Sequence, residues 1–148
     1  MRQTPVNPHY RDHTATLLDP SRTLEWVTAI NPGRRQILGF VFRRADYPWL
    51  QTWGDYPPSG KLARGMEFGT QPYDVSHRDA ISMGSMFDTP VFRWLPAKSK
   101  IETHYLMFYA TVPKGFTKTD DVRMEHNSIV IEDRAAGKHV TLAASRPL

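Results

Sequence analysis

A single carboxylate inside an apolar run is the feature of this sequence that points most directly to chemistry. Glu67 lies between Met66 and Phe68, and glycines occupy positions 65 and 69. Alternation along a β-strand places Glu67 on the face opposite Met66 and Phe68. If that face lines a cleft, Glu67 can exchange a proton with a ligand, and its glycine neighbours leave room for it. If that face is solvated, Glu67 is an ordinary residue of an amphipathic strand, and both interpretations are open.

Six histidines are present and cysteine is absent, which limits the metal sites that this chain can form. A protein metal site needs three or more ligands that converge with a regular spacing. His9 and His13 lie in a proline-rich segment where no helix is expected, and the other four histidines are scattered. We therefore expect no bound metal and no cofactor. A histidine can instead supply the proton donor that a general base such as Glu67 requires.

Several classes of chemistry and partner are disfavoured by what the sequence lacks. It contains neither the Gly-x-Ser-x-Gly turn of a hydrolase nucleophile nor a glycine-rich phosphate loop that leads into a helix. Without cysteine there is no disulfide framework. The 19 Lys and Arg residues exceed the 15 Asp and Glu residues, but they are scattered in pairs such as Arg34 and Arg35. We therefore expect no nucleic-acid partner.

Hydropathy and turn residues together indicate the class of fold. No apolar run is long enough to cross a bilayer, and the polar N-terminal residues do not form a signal peptide, so the chain as given is expected to be soluble, without a membrane partner. The twelve prolines and nine glycines are spread along the chain, which is typical of many short strands joined by turns. We predict an all-β fold, an antiparallel β-sandwich that forms a single domain over residues 1–148.

Two hairpins follow from pairs of apolar runs. Thr23–Ile30 and Gln36–Arg43 are rich in β-branched and aromatic residues and are separated by a short Asn-Pro-Gly-Arg-Arg turn. Residues 128–131 and 139–143 form a similar pair around a polar turn near the end of the chain. These four runs are predicted to supply much of the sandwich.

Other segments give further predictions of structure. Residues 1–20 are polar and broken by prolines, so we expect an extended or irregular lead-in arm. Residues 73–86 are predicted to be a loop or a short helical turn, and Val91–Leu95 a strand. Ile101–Val112 is the longest β-like run, and both its faces become apolar after His104. We therefore expect it to be a central strand covered on both sides.

Aromatic residues are concentrated in the turn-rich segment 45–60, which includes Trp49 and Trp53. Aromatic rings carry a large apolar area, so these side chains can plug one end of the sandwich core. One of them can alternatively stack on a flat apolar ligand face, such as the C–H face of a sugar. The sequence leaves both interpretations open.

Three runs of residues, taken in order, resemble a known family. They are Trp49–Gly54, Gly65–Asp74 and Leu95–Lys100, the last of which leads towards Tyr105. In order and spacing they resemble the C-terminal part of the aldose 1-epimerases, also called galactose mutarotases, whose fold is a large β-supersandwich. The resemblance covers residues 36–112. It implies that this chain folds as part of such a supersandwich.

The resemblance also implies roles for individual residues. Glu67 corresponds to the family's general base, which takes the proton of a sugar's anomeric hydroxyl while a histidine protonates the ring oxygen. Gln71 falls near a glutamine of the family's motif. We expect Trp53, Gln71 and His104 to bind the sugar beside Glu67. The run Asn7-Pro8-His9-Tyr10 is similar to the family's Asn-His-x-Tyr motif, with its histidine displaced by one position.

Family members are usually longer, so the resemblance implies either a C-terminal portion of such a protein or a trimmed relative. On this basis we expect a domain that binds, or epimerises, a small-molecule carbohydrate. A non-catalytic sugar-binding or accessory module is one alternative. Another is a structural domain that forms a homo-oligomer through the edges of its sandwich, because half of a supersandwich leaves edge strands to be covered.

Overall fold

The computed structural model of this protein describes residues 11–55 and 63–148. In these residues the regular structure is almost entirely antiparallel β-strand, with one short helix. The fold is therefore all-β and sandwich-like, as the sequence predicts. Residue contacts divide the chain into two compact units. The prediction of a single domain stays a prediction.

The strands are β1 (Arg11–Leu17), β2 (Leu24–Asn31), β3 (Gln36–Arg43), β4 (Trp49–Asp55), β5 (Ala63–Gly69), β6 (Ser85–Met86), β7 (Thr89–Pro90), β8 (Tyr105–Thr111), β9 (Asp121–Glu125), β10 (Ser128–Asp133) and β11 (Lys138–Ala143), and the helix is α1 (His77–Met83). Of the described residues, 22–43 and 104–148 make up the first unit, and 11–21, 44–55 and 63–103 make up the second.

The first unit is built from two three-stranded antiparallel sheets, with strand orders β2-β3-β8 and β11-β10-β9. Alternation turns one row of side chains from each sheet inward, and these rows form one core. The buried apolar members of that core are Ile37, Val41, Leu106, Phe108, Val112, Phe116, Val122, Ile129 and Ile131. Both hairpins that the sequence predicts, β2 with β3 and β10 with β11, are confirmed.

Strand β8 differs from its prediction. It is shorter than the predicted run Ile101–Val112 and lies at the edge of its sheet, not at the centre. Leu106 and Phe108 point into the core, while Tyr105, Met107 and Tyr109 on the other face are 47, 64 and 63% exposed. The prediction that this strand is covered on both sides is therefore wrong, because apolar residues on a face do not by themselves supply a layer to cover it.

The second unit is centred on a three-stranded antiparallel sheet with strand order β1-β4-β5. Its buried residues include Trp49, whose indole Nε1 donates to the backbone oxygen of Pro90 at 3.0 Å, and Val91. Residues 1–20 are predicted to be a lead-in arm, yet Arg11–Leu17 forms β1 and pairs with β4 along its whole length. The part of that arm within the described residues is therefore a strand of the sheet, because β4 offers it a hydrogen-bonding edge.

The segment after β5 contains the helix and a small hairpin. Ser76 caps α1 by accepting from the backbone N–H of Asp79 at 3.2 Å, and Gly84 ends it with φ of 69°. Of the two interpretations of residues 73–86, the short helix is therefore the one observed. No helix among the described residues is long and apolar enough to cross a membrane.

The strand predicted at Val91–Leu95 is absent, since these residues are irregular in the structure. The two-residue strands β6 and β7 lie just before them and are joined through Phe87 and Asp88, both with positive φ. That pair of dihedral signs is typical of a tight hairpin turn. The chain bends after Val91, which is buried, and Trp94 is then exposed.

Candidate functional site

The register of the second unit's sheet brings a row of functional side chains onto one face. Trp53 lies opposite His13 on β1 and opposite Gly65 on β5. Two residues away on β4, Gln51 lies opposite Glu67. Directly paired residues in an antiparallel sheet share a face, as do residues two apart on one strand. An imidazole, an amide, an indole and a carboxylate therefore project together.

These four side chains line a cleft of about 530 Å³, together with residues that follow β5. The lining residues are His13, Gln51, Trp53, Glu67, Gln71, Tyr73 and Asp74. All of them belong to the second unit. A volume of this size is typical of small-molecule sites.

The walls of the cleft combine aromatic rings with polar groups. Trp53 and Tyr73 are each 39% exposed, so part of each ring is open to a ligand. Glu67 and Asp74 supply carboxylates, and among the residues that the structure describes no lysine or arginine lines the cleft. An anionic ligand would be repelled by these carboxylates, whereas a neutral ligand with many hydroxyl groups would find acceptors for its protons.

Hydrogen bonds fix the orientation of the His13 ring. The side-chain Nε2 of Gln51 donates to the backbone oxygen of Gln71 at 2.9 Å. Because that carbonyl can only accept, the network assigns the amide oxygen of Gln51 to its other side, 2.6 Å from Nε2 of His13. An amide oxygen also only accepts, so Nε2 of His13 carries a proton. Nδ1 is then the ring nitrogen that is left for contact with a ligand.

Gln71 has a bracing role as well as a place in the cleft wall. Its side-chain amide donates to the backbone oxygen of Tyr73 and, at 3.5 Å, to that of Val75. These bonds tie down the segment that carries Tyr73 and Asp74. The resemblance implies that Gln71 binds sugar; in the structure its N–H groups are directed to the backbone, so its oxygen is the atom that remains for a ligand.

Glu67 is exposed on the cleft wall and folds back over Gly65. A Cβ atom added at Gly65 would lie 2.9 Å from Oε1 of Glu67, so the carboxylate would have to move if an alanine replaced this glycine. Within residues 11–55 and 63–148, the Glu67 carboxylate makes no hydrogen bond or ion pair. Its acceptor oxygens are therefore open to solvent and to a ligand alike, and it is the place of Glu67 in the cleft lining that supports the cleft interpretation.

The structure brings together only some of the residues that are expected at the sugar site. Glu67, Trp53 and Gln71 line one cleft, whereas His104 belongs to the first unit and does not line it. Trp49 is buried, as expected of a side chain that fills the core, whereas Trp53 lines the cleft, where a ligand could stack on it. The motif Asn7-Pro8-His9-Tyr10 lies outside the described residues.

Four lining residues were not assigned to a site from the sequence: His13, Gln51, Tyr73 and Asp74. His13 could have been found from the sequence Asp-His-Thr-Ala-Thr, which is compatible with a strand once its partner strand is known. Gln51 could have been found because it lies two residues from Trp53 and therefore on the same face of the strand. Among the described residues, no group of three or more His, Asp and Glu side chains is arranged to hold a metal ion.

Comparison with protein-family models, with curated proteins and with solved structures finds no match to this chain. The function is therefore argued from the geometry of the cleft.

Proposed function

We propose that this protein binds a neutral aldose in the cleft of the second unit and catalyses its anomerisation. The observation that carries this proposal is the single cleft in which the Trp53 ring, the Glu67 carboxylate and the His13 imidazole lie together. The resemblance to aldose 1-epimerases points to the same ligand class.

A sugar matches the two kinds of surface in the cleft. One face of a pyranose ring consists of C–H groups, and an exposed aromatic ring such as that of Trp53 or Tyr73 provides a flat apolar surface for it. The hydroxyl groups at the rim of the sugar need acceptors and donors. Glu67, Asp74 and the amide oxygen of Gln71 can accept from them, which fixes the orientation of the ring.

The proposed reaction requires one base and one acid. Glu67 takes the proton of the anomeric hydroxyl while His13, in its protonated form, gives a proton to the ring oxygen. The bond between the anomeric carbon and the ring oxygen breaks, and the anomeric C–O bond becomes the carbonyl of an open-chain aldehyde. Re-closure on the other carbonyl face, with both proton transfers reversed, gives the other anomer.

The hydrogen bond from His13 to Gln51 suits this role. Protonated histidine has two N–H groups, and the Gln51 oxygen accepts the one on Nε2. The proton on Nδ1 is then the one that His13 can donate. Gln51 thus acts as a positioning residue, because it holds the ring without taking part in the proton transfer.

Binding without catalysis is the second candidate function. The exposure of Glu67 favours it, because water competes with a ligand for an exposed carboxylate. Under this alternative the same cleft holds the sugar, and Glu67 and Asp74 act only as hydrogen-bond acceptors.

Polarimetry of freshly dissolved aldoses tests the catalytic proposal. The protein should accelerate the approach to anomeric equilibrium, and Glu67→Gln should reduce this acceleration by about a hundredfold or more, because an amide cannot accept the proton. His13→Gln should have a comparable effect. Glu102→Gln is the matched control, since Glu102 is an exposed glutamate outside the cleft that pairs only with Lys100 among the residues described.

Tryptophan fluorescence tests binding separately. Sugar should quench the emission of the native protein, and Trp53→Ala should remove the response, whereas Trp94→Ala, at a tryptophan 67% exposed and outside the cleft, should preserve it. Quenching without catalytic acceleration would select the binding-only alternative. A set of neutral aldoses that gives neither quenching nor acceleration would overturn both.

A further inference from the structure

We propose that two copies of this chain associate through strand β8, pairing antiparallel about a two-fold axis at Met107. The interface would join two β2-β3-β8 sheets into one six-stranded sheet. It involves the first unit only, so it is independent of the cleft and of the proposed reaction.

Among the residues that the structure describes, strand β8 lies at the edge of its sheet without the usual protection against pairing. Natural edge strands carry charged residues or prolines that discourage another strand from adding to the sheet. The other five edge strands of the three-stranded sheets each contain at least one charged residue; these are β1, β2, β5, β9 and β11. Tyr105–Thr111 has neither charge nor proline over seven residues. This edge is therefore suited to being covered.

The backbone of β8 presents hydrogen-bonding groups outward at alternate residues. The N–H of Val112 donates to the oxygen of Arg35 at 2.8 Å, which identifies this pair as hydrogen-bonded across the ladder. Hydrogen-bonded pairs recur at every second residue of an antiparallel ladder, so the backbone N–H and C=O groups of Ala110, Phe108 and Leu106 also point to β3. Met107 and Tyr109 therefore direct theirs to the open edge, where another strand can pair with them.

Met107 and Tyr109, whose backbone groups point to the open edge, also carry exposed apolar side chains. Met107 and Tyr109 are 64 and 63% exposed. Their partners on β3, Phe40 and Leu38, are only half-buried, so the apolar surface extends from the edge across the sheet. A second strand added at this edge would cover part of that surface as well as satisfying the backbone.

The sequence of β8 specifies a copy of itself as the occupant. Tyr105-Leu106-Met107-Phe108-Tyr109 has the same residue type at each end and a similar type on each side of Met107. Under a two-fold axis at Met107, each tyrosine faces a tyrosine, Leu106 faces Phe108, and Met107 faces Met107. The residues with outward backbone groups then all fall in hydrogen-bonded pairs. A two-fold contact of this kind is closed, so it yields a dimer and not a fibre.

Charge substitution at Met107 tests this interface, because the residue would face itself across the axis. The native protein should sediment with twice its monomer mass of 17.0 kDa. Met107→Lys and Met107→Glu should each weaken the dimer by about a hundredfold, since like charges would then be opposed. An equimolar mixture of the two variants should restore a dimer, because the lysine of one copy then faces the glutamate of the other.

Two controls separate the interface from general effects of charge or folding. Thr141→Lys places a lysine on an exposed position of β11, another edge strand, and should leave the dimer intact. Circular dichroism should show native β-structure in every variant, since Met107 is exposed.

A second measurement uses the absence of native cysteine. Met107→Cys should oxidise to a disulfide-linked dimer, because a directly opposed pair has a Cα separation of about 5.5 Å.

Three results would overturn the proposal. One is a native protein that stays at 17.0 kDa up to millimolar concentration, which would leave β8 open or reserved for a different chain. Another is a Met107→Lys variant that dimerises as tightly as the native protein. The third is a mixture of the lysine and glutamate variants that remains monomeric, which would exclude a two-fold axis at residue 107.

Discussion

Both units are built from antiparallel strands, but the two sets of strands serve different purposes. In the first unit, two sheets close over an apolar core, and surface charges pair with each other, as Arg134 does with Asp121 at 3.0 Å and Glu132 at 3.2 Å. In the second unit, one face of a sheet is left open, and the Glu67 carboxylate on it makes no ion pair within the described residues. The charged side chains of the first unit thus pair with one another, while the cleft of the second keeps polar groups available to a ligand.

Two strand glycines show this difference in detail. A Cβ added at Gly39 would lie 2.7 Å from Cε2 of Phe108, so the ring packs directly on the glycine in the core of the first unit. A Cβ added at Gly65 would lie 2.9 Å from Oε1 of Glu67, at the open cleft of the second. In the first case glycine makes room for a buried ring that cannot move away. In the second it makes room for the free end of an exposed side chain.

The largest effect on stability is expected from Gly39→Ala. The added methyl group would displace the Phe108 ring within a closely packed core, which should lower the free energy of unfolding by about 3 kcal/mol. Urea denaturation of the variant measures this loss. The double variant Gly39→Ala/Phe108→Leu should lose less than the sum of the two single changes, because the smaller side chain removes the overlap. Additive losses would show that the glycine is not reserved for the ring.

A smaller effect, with a pH signature, is expected from Asp133→Asn. Asp133 is fully buried in the first unit, and the backbone N–H of Thr117 donates to its carboxylate at 2.8 Å. That bond, with those from Ala136 and Lys118, holds the pKa of Asp133 below its ordinary value of 3.8 despite burial, which acts in the opposite direction. Asparagine cannot accept all three bonds, so stability at neutral pH should fall by about 2 kcal/mol.

The depressed pKa determines how this difference varies with pH. A carboxyl group whose pKa is lower in the folded state adds stability above its unfolded pKa, and this contribution is lost as pH falls through the folded value. The stability difference between the native protein and Asp133→Asn should therefore be constant near neutrality and shrink below about pH 4. Thermal unfolding at a series of pH values measures it. A difference that grows in acid would contradict the assignment.

The smallest effect on stability, and a selective one on the cleft, is expected from Gly65→Ala. Since Glu67 is exposed and flexible, it can move aside, and the free energy of unfolding should change by less than about 0.5 kcal/mol. The moved carboxylate should weaken sugar binding by about tenfold, measured by fluorescence titration. Gly69→Ala is the matched control, because its added methyl group meets only the backbone of Gln71 at 3.8 Å. If both variants lost the same sugar affinity, the displacement of Glu67 would not be the cause of the weaker binding.

Local patterns predicted the elements that depend on neighbouring residues in the chain. The β2–β3 hairpin was predictable because two apolar runs flank a short turn, and both partners are close in sequence. The alternation around Glu67 correctly placed it on the face opposite Phe68, with glycine beside it. In both cases the determining interactions are local, so the sequence contains all the necessary information.

Predictions that required a distant partner were the ones that failed. Arg11–Leu17 has little apolar character, and it becomes a strand only because β4, more than 30 residues away, offers a pairing edge. Val91–Leu95 has the composition of a strand, but in the structure Val91 is buried and the chain bends at that point, so no strand forms. Apolar residues on both faces of β8 indicated a central strand, whereas the sheet ends at it.

The sequence by itself determined an all-β protein, its local hairpins and the face on which Glu67 lies, because strand alternation and turn chemistry act over a few residues. Only the tertiary structure decided that His13 and Gln51 join Glu67 and Trp53 in one cleft, and that His104 does not. Those neighbours are set by the register between strands distant in the chain. That register depends on which sheet edge each strand pairs with, and no local pattern encodes this choice.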